Sequence, residues 1–289
     1  MDFEQFFDIV PLGDWVSDGS EWFVNSLVQY ASPFFDAIQM PISWMLEILD
    51  SGLNAVPWPI IILIVAALGW YNAGRTVGIL AAVGLMLTGF LGYWTLTMTT
   101  LAMVLTALFF SVLIGVPLGI WASRSDRVND TSRVVLDGMQ TIHPFVYLVP
   151  IVMLLGIGKV PGTIATIIFA LPPIVRLTNL GIRQVSAEVV EAGKAFGASD
   201  RNLLFDVQIP LAMPTIMAGL NQTLMLSLSM VVIVALIAGG GLGQEILRSV
   251  GRLDIGRAVT SGLSVLVLAV VLDRISQGKG AAAGREEDA

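Results

Sequence analysis

The sequence predicts an all-α protein embedded in a membrane, with about seven transmembrane helices, and three observations carry that reading. Hydrophobic residues fill 55% of the 289 positions, charged residues only 13%, and the mean hydropathy is +0.82. A water-facing domain carries charge on about a quarter of its residues. The apolar residues also gather into stretches close to the ~20 positions needed to cross about 30 Å of hydrocarbon. Finally, lysine and arginine are concentrated in alternate connections between those stretches, as cytoplasmic loops require.

Composition narrows the chemistry. One histidine and no cysteine remove most metal-site and all thiol chemistry, so no metal ligands are assigned. A formal charge of -7 argues against nucleic acid, which needs a basic patch. No basic n-region opens the chain, so no cleaved signal peptide is expected.

Residues 1–55 form an acidic N-terminal region, extracytoplasmic or interfacial. In it Trp22, Phe23, Leu27, Phe34, Phe35, Ile38, Trp44 and Leu46 are interleaved with Asp36, Glu47 and Asp50. A central Asp costs about 2.5–3.5 kcal/mol to insert, so 20–50 reads as one or two helices lying in the interface, tryptophans at headgroup depth. Residues 56–94 supply two accessory spans, near 57–71 and 76–94; Pro57 and Pro59 suit a helix start. Further spans fall near 97–121, 139–157, 162–180, 211–238 and 257–273. Pro172-Pro173 is expected to bend or break the helix over 162–180. The tail 277–289, ending in GKGAAAGREEDA, is expected to be disordered in the cytoplasm.

Orientation follows from charge. No basic residue precedes Arg75, whereas nine acidic ones lie between Asp2 and Asp50. With the N-terminus outside and the C-terminus in the cytoplasm, 11 of the 15 basic residues fall on inner connections. Lys159, Arg248, Arg252 and Arg257 are the exceptions.

The connection over 184–210 is the most informative. Ser186 can cap a short helix with Glu188 in its first turn. Val189, Ala192 and Phe196 share one face of it, and Gly197 is placed to stop it in the left-handed conformation. Ser199 can cap a second short helix bearing Leu203, Leu204 and Val207, limited by Pro210. The product is a cytoplasmic helix-turn-helix with an exposed apolar patch, suited to docking a partner.

Glu191-Ala192-Gly193, then Gly197, then Val207-x-Ile209-Pro210 resembles the EAA loop of binding-protein-dependent ABC importer permeases, whose pattern is E-A-A-x3-G-x9-I-x-L-P. Gly193 stands where a second alanine is usual, at about 1 kcal/mol in helix propensity. Longer stretches are similar to the glycine betaine/proline betaine permeases: IGVPLGIWASRSDR (114–127), VLDGMQTIHPFVYLVPIVMLLGIGKVPG (135–162), IIFALPPIVRLTNLGIRQV (167–185), 210–243 and 253–276. The resemblance covers 95–276 and is loose before it.

The resemblance implies a type I ABC importer transmembrane domain in the cell's inner membrane, with 95–276 as its core. It implies import of quaternary-amine osmolytes, methionine or phosphonate importers being runners-up. The implied assembly is a permease homodimer, with a separate ABC ATPase subunit below and an extracytoplasmic substrate-binding protein outside. Glu191, Ala192, Gly193, Phe196 and Gly197 would contact the ATPase. The chain would bind no cofactor and perform no catalysis, ATP being used by the partner. Consistent with this, GGGLG at 239–243 is followed by Gln244 and Glu245, not the Lys-Ser/Thr of a phosphate loop. It reads as a turn or a close-packing site.

Polar groups inside spans are functional candidates. Asn221, Ser227, Trp121 and Tyr147 are the candidates for a translocation pathway; packing is the stronger reading for Asn221 and Ser227, and interfacial anchoring for the aromatics. Arg176 is expected to snorkel to the inner surface, and Asp137 and Asp273 to pair with nearby basic residues. Two other classes compete: an ion-driven secondary transporter, which lacks support from internal repeats or a central carboxylate, and a membrane scaffold, which would explain only the docking loop.

Overall fold

The computed structural model describes residues 12–278, and all regular structure among them is helical. The helices are α1 (Leu12–Ala55), α2 (Trp58–Ala73), α3 (Arg75–Phe90), α4 (Trp94–Arg124), α5 (Asp126–Thr141), α6 (Pro144–Leu155), α7 (Lys159–Arg183), α8 (Ala187–Ala195), α9 (Asp200–Asn202), α10 (Ile209–Val234), α11 (Gly241–Gly251) and α12 (Ile255–Gln277). A π turn (Leu203–Gln208) joins α9 to α10, and a 3-10 turn (Ala235–Ile237) follows α10. The tail expected to be disordered lies, from 279 on, outside the described residues, as do residues 1–11 of the acidic region.

Four helices are long and apolar enough to span: α4, α7, α12 and the continuous Asp200–Ile237. Two bent pairs raise the count to six: Pro33–Ala55 with α2, at 111°, and α5 with α6, at 96°. The helix α3, Arg75–Phe90, is apolar but shorter. The span expected at 139–157 is therefore not one helix. His143-Pro144 breaks it, because a residue before proline is driven out of the α region; His143 then caps α6 by accepting from Phe145 N–H at 3.4 Å.

Residues 20–50 also differ from the interfacial expectation. They lie in one helix, and its second half packs on the body. Ile42 is buried with Ala107, Ile164 and Ile167, and Leu46 with Ala102, Met103, Leu148 and Met230. Asp50 accepts from Thr99 Oγ1 at 2.8 Å and from Lys159 Nζ at 2.7 Å. Successive turns of α1 thus meet successively earlier residues of α4, so the two run antiparallel. The carboxylate that weighed against burial carries its own counter-charge, which offsets the desolvation cost.

Glycine sets the closest approaches. α2 and α3 form a tight hairpin over Gly74 (φ +96), with Gly69 against Gly78. Within α4, Gly115 and Gly119 let Ile174 and Thr178 of α7 approach so nearly that a Cβ would overlap them. Pro172 and Pro173 do not break α7, which runs unbroken from Lys159 to Arg183 with both rings buried. Dense packing against α4 and α10 outweighs the lost backbone bonds, worth about 3 kcal/mol at a helix interior.

The long α4 fixes the two ends of the molecule. At its start, Thr100 Oγ1 accepts from Leu242 N at 2.9 Å and Tyr93 bonds Thr260 at 3.2 Å. At its finish, Arg124 donates to the carbonyl of Asp200 at 2.9 Å. With 31 residues it is about 46 Å long. The 184–210 connection and the 239–257 segment therefore lie at opposite ends.

Candidate functional site

The α8 helix lies wholly outside the body, with none of its residues buried. Glu191 and Ala192 are exposed, and Phe196 projects with 94% of its surface free. Gly197 turns the chain at φ +80; its N–H donates to the Lys194 carbonyl at 2.9 Å, and Ala198 N–H to that of Gly193 at 3.0 Å. This is the left-handed helix ending expected of that glycine.

The structure accounts for the unusual Gly193. A Cβ there would stand 2.8 Å from Leu203 Cδ1, so the missing methyl lets α8 close onto the π turn. Ser199 caps as expected, accepting from Asn202 N–H at 3.3 Å. Ser186 makes no side-chain cap bond; its carbonyl instead accepts from Val190 N–H. Leu203 and Leu204 are buried, Leu204 among Leu171, Ile174 and Ile216. They anchor the loop and do not form the outward patch, which consists of Val189, Phe196 and Phe205. Nor does Pro210 stop the second helix. Ile209 N–H bonds Leu204 O across the π turn, and that wider coil leads the chain straight into α10.

The four pathway candidates are not gathered. Asn221 donates to Asp273 Oδ1 at 3.2 Å and accepts from Ser276 at 2.6 Å, tying α10 to α12. Ser227 is fully buried and bonds Thr223 O within its own helix. Trp121 is exposed near the far end of α4, and Tyr147 is half-buried on α6. Among the described residues Asp273 takes amide partners, Asn221 and Gln277, in place of a basic one. Arg176 does not stand alone: it pairs with Asp137 at 2.6 Å.

The junction Asp50–Thr99–Lys159 was not read from the sequence. Its signal was present, since Lys159 is an exception to the charge pattern and Asp50 the last acid before the first basic residue. Arg257, another exception, lies 3.5 Å from Asp254 and 3.9 Å from Glu245. GGGLG is a close-packing site: Gly239 and Gly243 press on Val234 and Val231, and Gly240 and Gly241 adopt φ +79 and +64.

Residues 115–277 match the family model described as the binding-protein-dependent transport system inner membrane component. The chain belongs to that family. The permease is 52% identical over 272 residues to the glycine betaine/proline betaine transport system permease protein ProW of Escherichia coli, covering 94% of this chain and 76% of that one. It is 41% identical to the glycine betaine transport system permease protein OpuAB of Bacillus subtilis, over 93% and 94% of the two chains. A chain of the inward-facing MetNI methionine ABC transporter superposes with a TM-score of 0.54 at 24% identity, over 65% of the permease and 92% of that chain. The permease is thus a multi-pass inner-membrane transport protein with the type I ABC importer fold.

Proposed function

We propose that the permease carries glycine betaine, proline betaine or a related trimethylammonium solute inward, driven by ATP hydrolysed on a separate subunit. The carrying observation is the 52% identity to a glycine betaine/proline betaine permease across 94% of the chain. The exposed 187–197 element supports the coupling half of the reading. It offers a carboxylate (Glu191), a small residue (Ala192) and an exposed phenyl ring (Phe196) beside the turn at Gly197.

In this reading 184–210 faces the cytoplasm and fits the ATPase, residues 95–276 form the transport core, and two copies enclose the pathway. A substrate-binding protein delivers the solute from outside. The permease holds no cofactor; ATP belongs to its partner. Asn221, Ser227, Trp121 and Tyr147 remain pathway proposals, with Asn221 and Ser227 weighted toward packing by their helix-to-helix and within-helix bonds. Motion of the ATPase dimer reaches the membrane as rigid-body displacement.

The test is uptake of radiolabelled glycine betaine into proteoliposomes holding permease, ATPase and binding protein. Uptake that needs all three, and that excess proline betaine suppresses, is expected. ATP-dependent uptake that no trimethylammonium compound competes would overturn the substrate. In the same assembly Glu191→Lys is expected to leave insertion intact but abolish stimulated ATPase and uptake; normal uptake would refute its role.

A further inference from the structure

A cavity of about 360 Å³ opens between α5 and α7 at the end of the molecule that carries the 184–210 loop. Arg133, Arg176 and Arg183 line it, opposed among the lining residues by the single carboxylate of Asp137. The three guanidinium groups are not equally engaged. Arg183 is spent on the scaffold: Nε donates to Asn179, Nη2 to the Ala122 carbonyl, and Asp126 lies at 2.8 Å. Arg176 gives Nη2 to Asp137, but its Nε–H is buried and has no acceptor. Arg133 makes no ion pair or hydrogen bond among the described residues. Buried donors are ordinarily satisfied, and here the unsatisfied one shares a cavity with an unused cation.

We infer that this cavity binds the oxyanion of a phosphate group, held between Arg176 and Arg133. The favoured source is the headgroup of an anionic phospholipid. Apolar Leu136, Val175 and Leu180 line the same cavity, and Leu180 is exposed, giving an acyl chain a contact that a free phosphate would not use. A basic pocket between membrane helices is the arrangement that selects anionic headgroups, and the planar fork of arginine suits phosphate oxygens. Such a lipid would join α5 to α7, whose last turn leads directly into α8.

The test is native mass spectrometry of the full chain in neutral detergent, titrated with dioleoyl-phosphatidylglycerol, with dioleoyl-phosphatidylcholine, or with inorganic phosphate. It needs neither ATPase nor substrate, so it stands or falls apart from the transport reading. One phosphatidylglycerol retained in preference to phosphatidylcholine is expected. Arg133→Ala should weaken it about fivefold, since one surface arginine contributes about 1 kcal/mol toward an anionic lipid; Arg133→Lys should restore most of it, and Lys194→Ala, on the same side but outside the cavity, should change nothing. Equal retention of the two lipids, or no effect of Arg133→Ala, would overturn the site. Binding of inorganic phosphate with the same Arg133 dependence, and without preference for phosphatidylglycerol, would keep the oxyanion site and overturn the lipid.

Discussion

At the scale of single residues, three glycines separate conformational need from steric need. Gly197 sits at φ +80 with open space around it, so only the backbone objects to a side chain. Gly197→Val is expected to cost about 1–2 kcal/mol locally and to lower co-purification with the ATPase without reducing membrane insertion. Gly193 is different, since its prospective Cβ faces the flexible end of Leu203. Gly193→Ala gains about 1 kcal/mol of helix propensity and loses a similar amount to crowding, so the melting temperature should barely move. Gly243 is pressed against the backbone carbonyl of Val231, which cannot step aside. Gly243→Ala should therefore destabilise by about 1–3 kcal/mol, seen as a lower melting temperature in detergent. The turn at Gly197 was legible because left-handed termini leave a sequence mark. The departure at Gly193 was visible only as a cost, because its benefit lies on a residue ten positions away.

At the scale of elements, helices were legible and their breaks were not. Proline misled at three places. Pro172-Pro173 lies within an unbroken helix and Pro210 is absorbed by a π turn, whereas His143-Pro144 produces a bend of 96°. Whether a ring interrupts a helix depends on what packs around it, and that information is spread over α4 and α10. The first helix was misread for a related reason: Asp50 was weighed without its partners. Its link to Thr99 and Lys159 makes α1 part of the body. Asp50→Asn and Lys159→Met should each lower stability by about 1 kcal/mol, given that the lysine is partly exposed. The double variant should fall short of the sum, the mark of a coupled pair. Asn221→Ala should reduce thermal stability through its lost bonds to α12 while leaving betaine uptake per inserted molecule unchanged; a changed substrate affinity would return Asn221 to the pathway.

At the scale of the molecule, the placement of charge is what orients the chain in the sequence reading. The basic residues that broke the inside pattern include Lys159 and Arg257, and both have acidic neighbours at the end remote from 184–210. The absence of cysteine makes the arrangement directly testable. Single-cysteine variants at Phe196 and Leu253, exposed at 94% and 86%, should react with a membrane-impermeant maleimide from opposite faces of the membrane, Phe196→Cys only in inverted vesicles.

The long helix α4 has a mechanical consequence. Its two ends are fastened to different rims, by Thr100 and by Arg124, while Gly115 and Gly119 bring its lower half into near-backbone contact with α7. Pro117 lies between those glycines and removes one rung of the backbone ladder there. The place where the rod is held closest to α7 is therefore also the place where its own backbone ladder is a rung short.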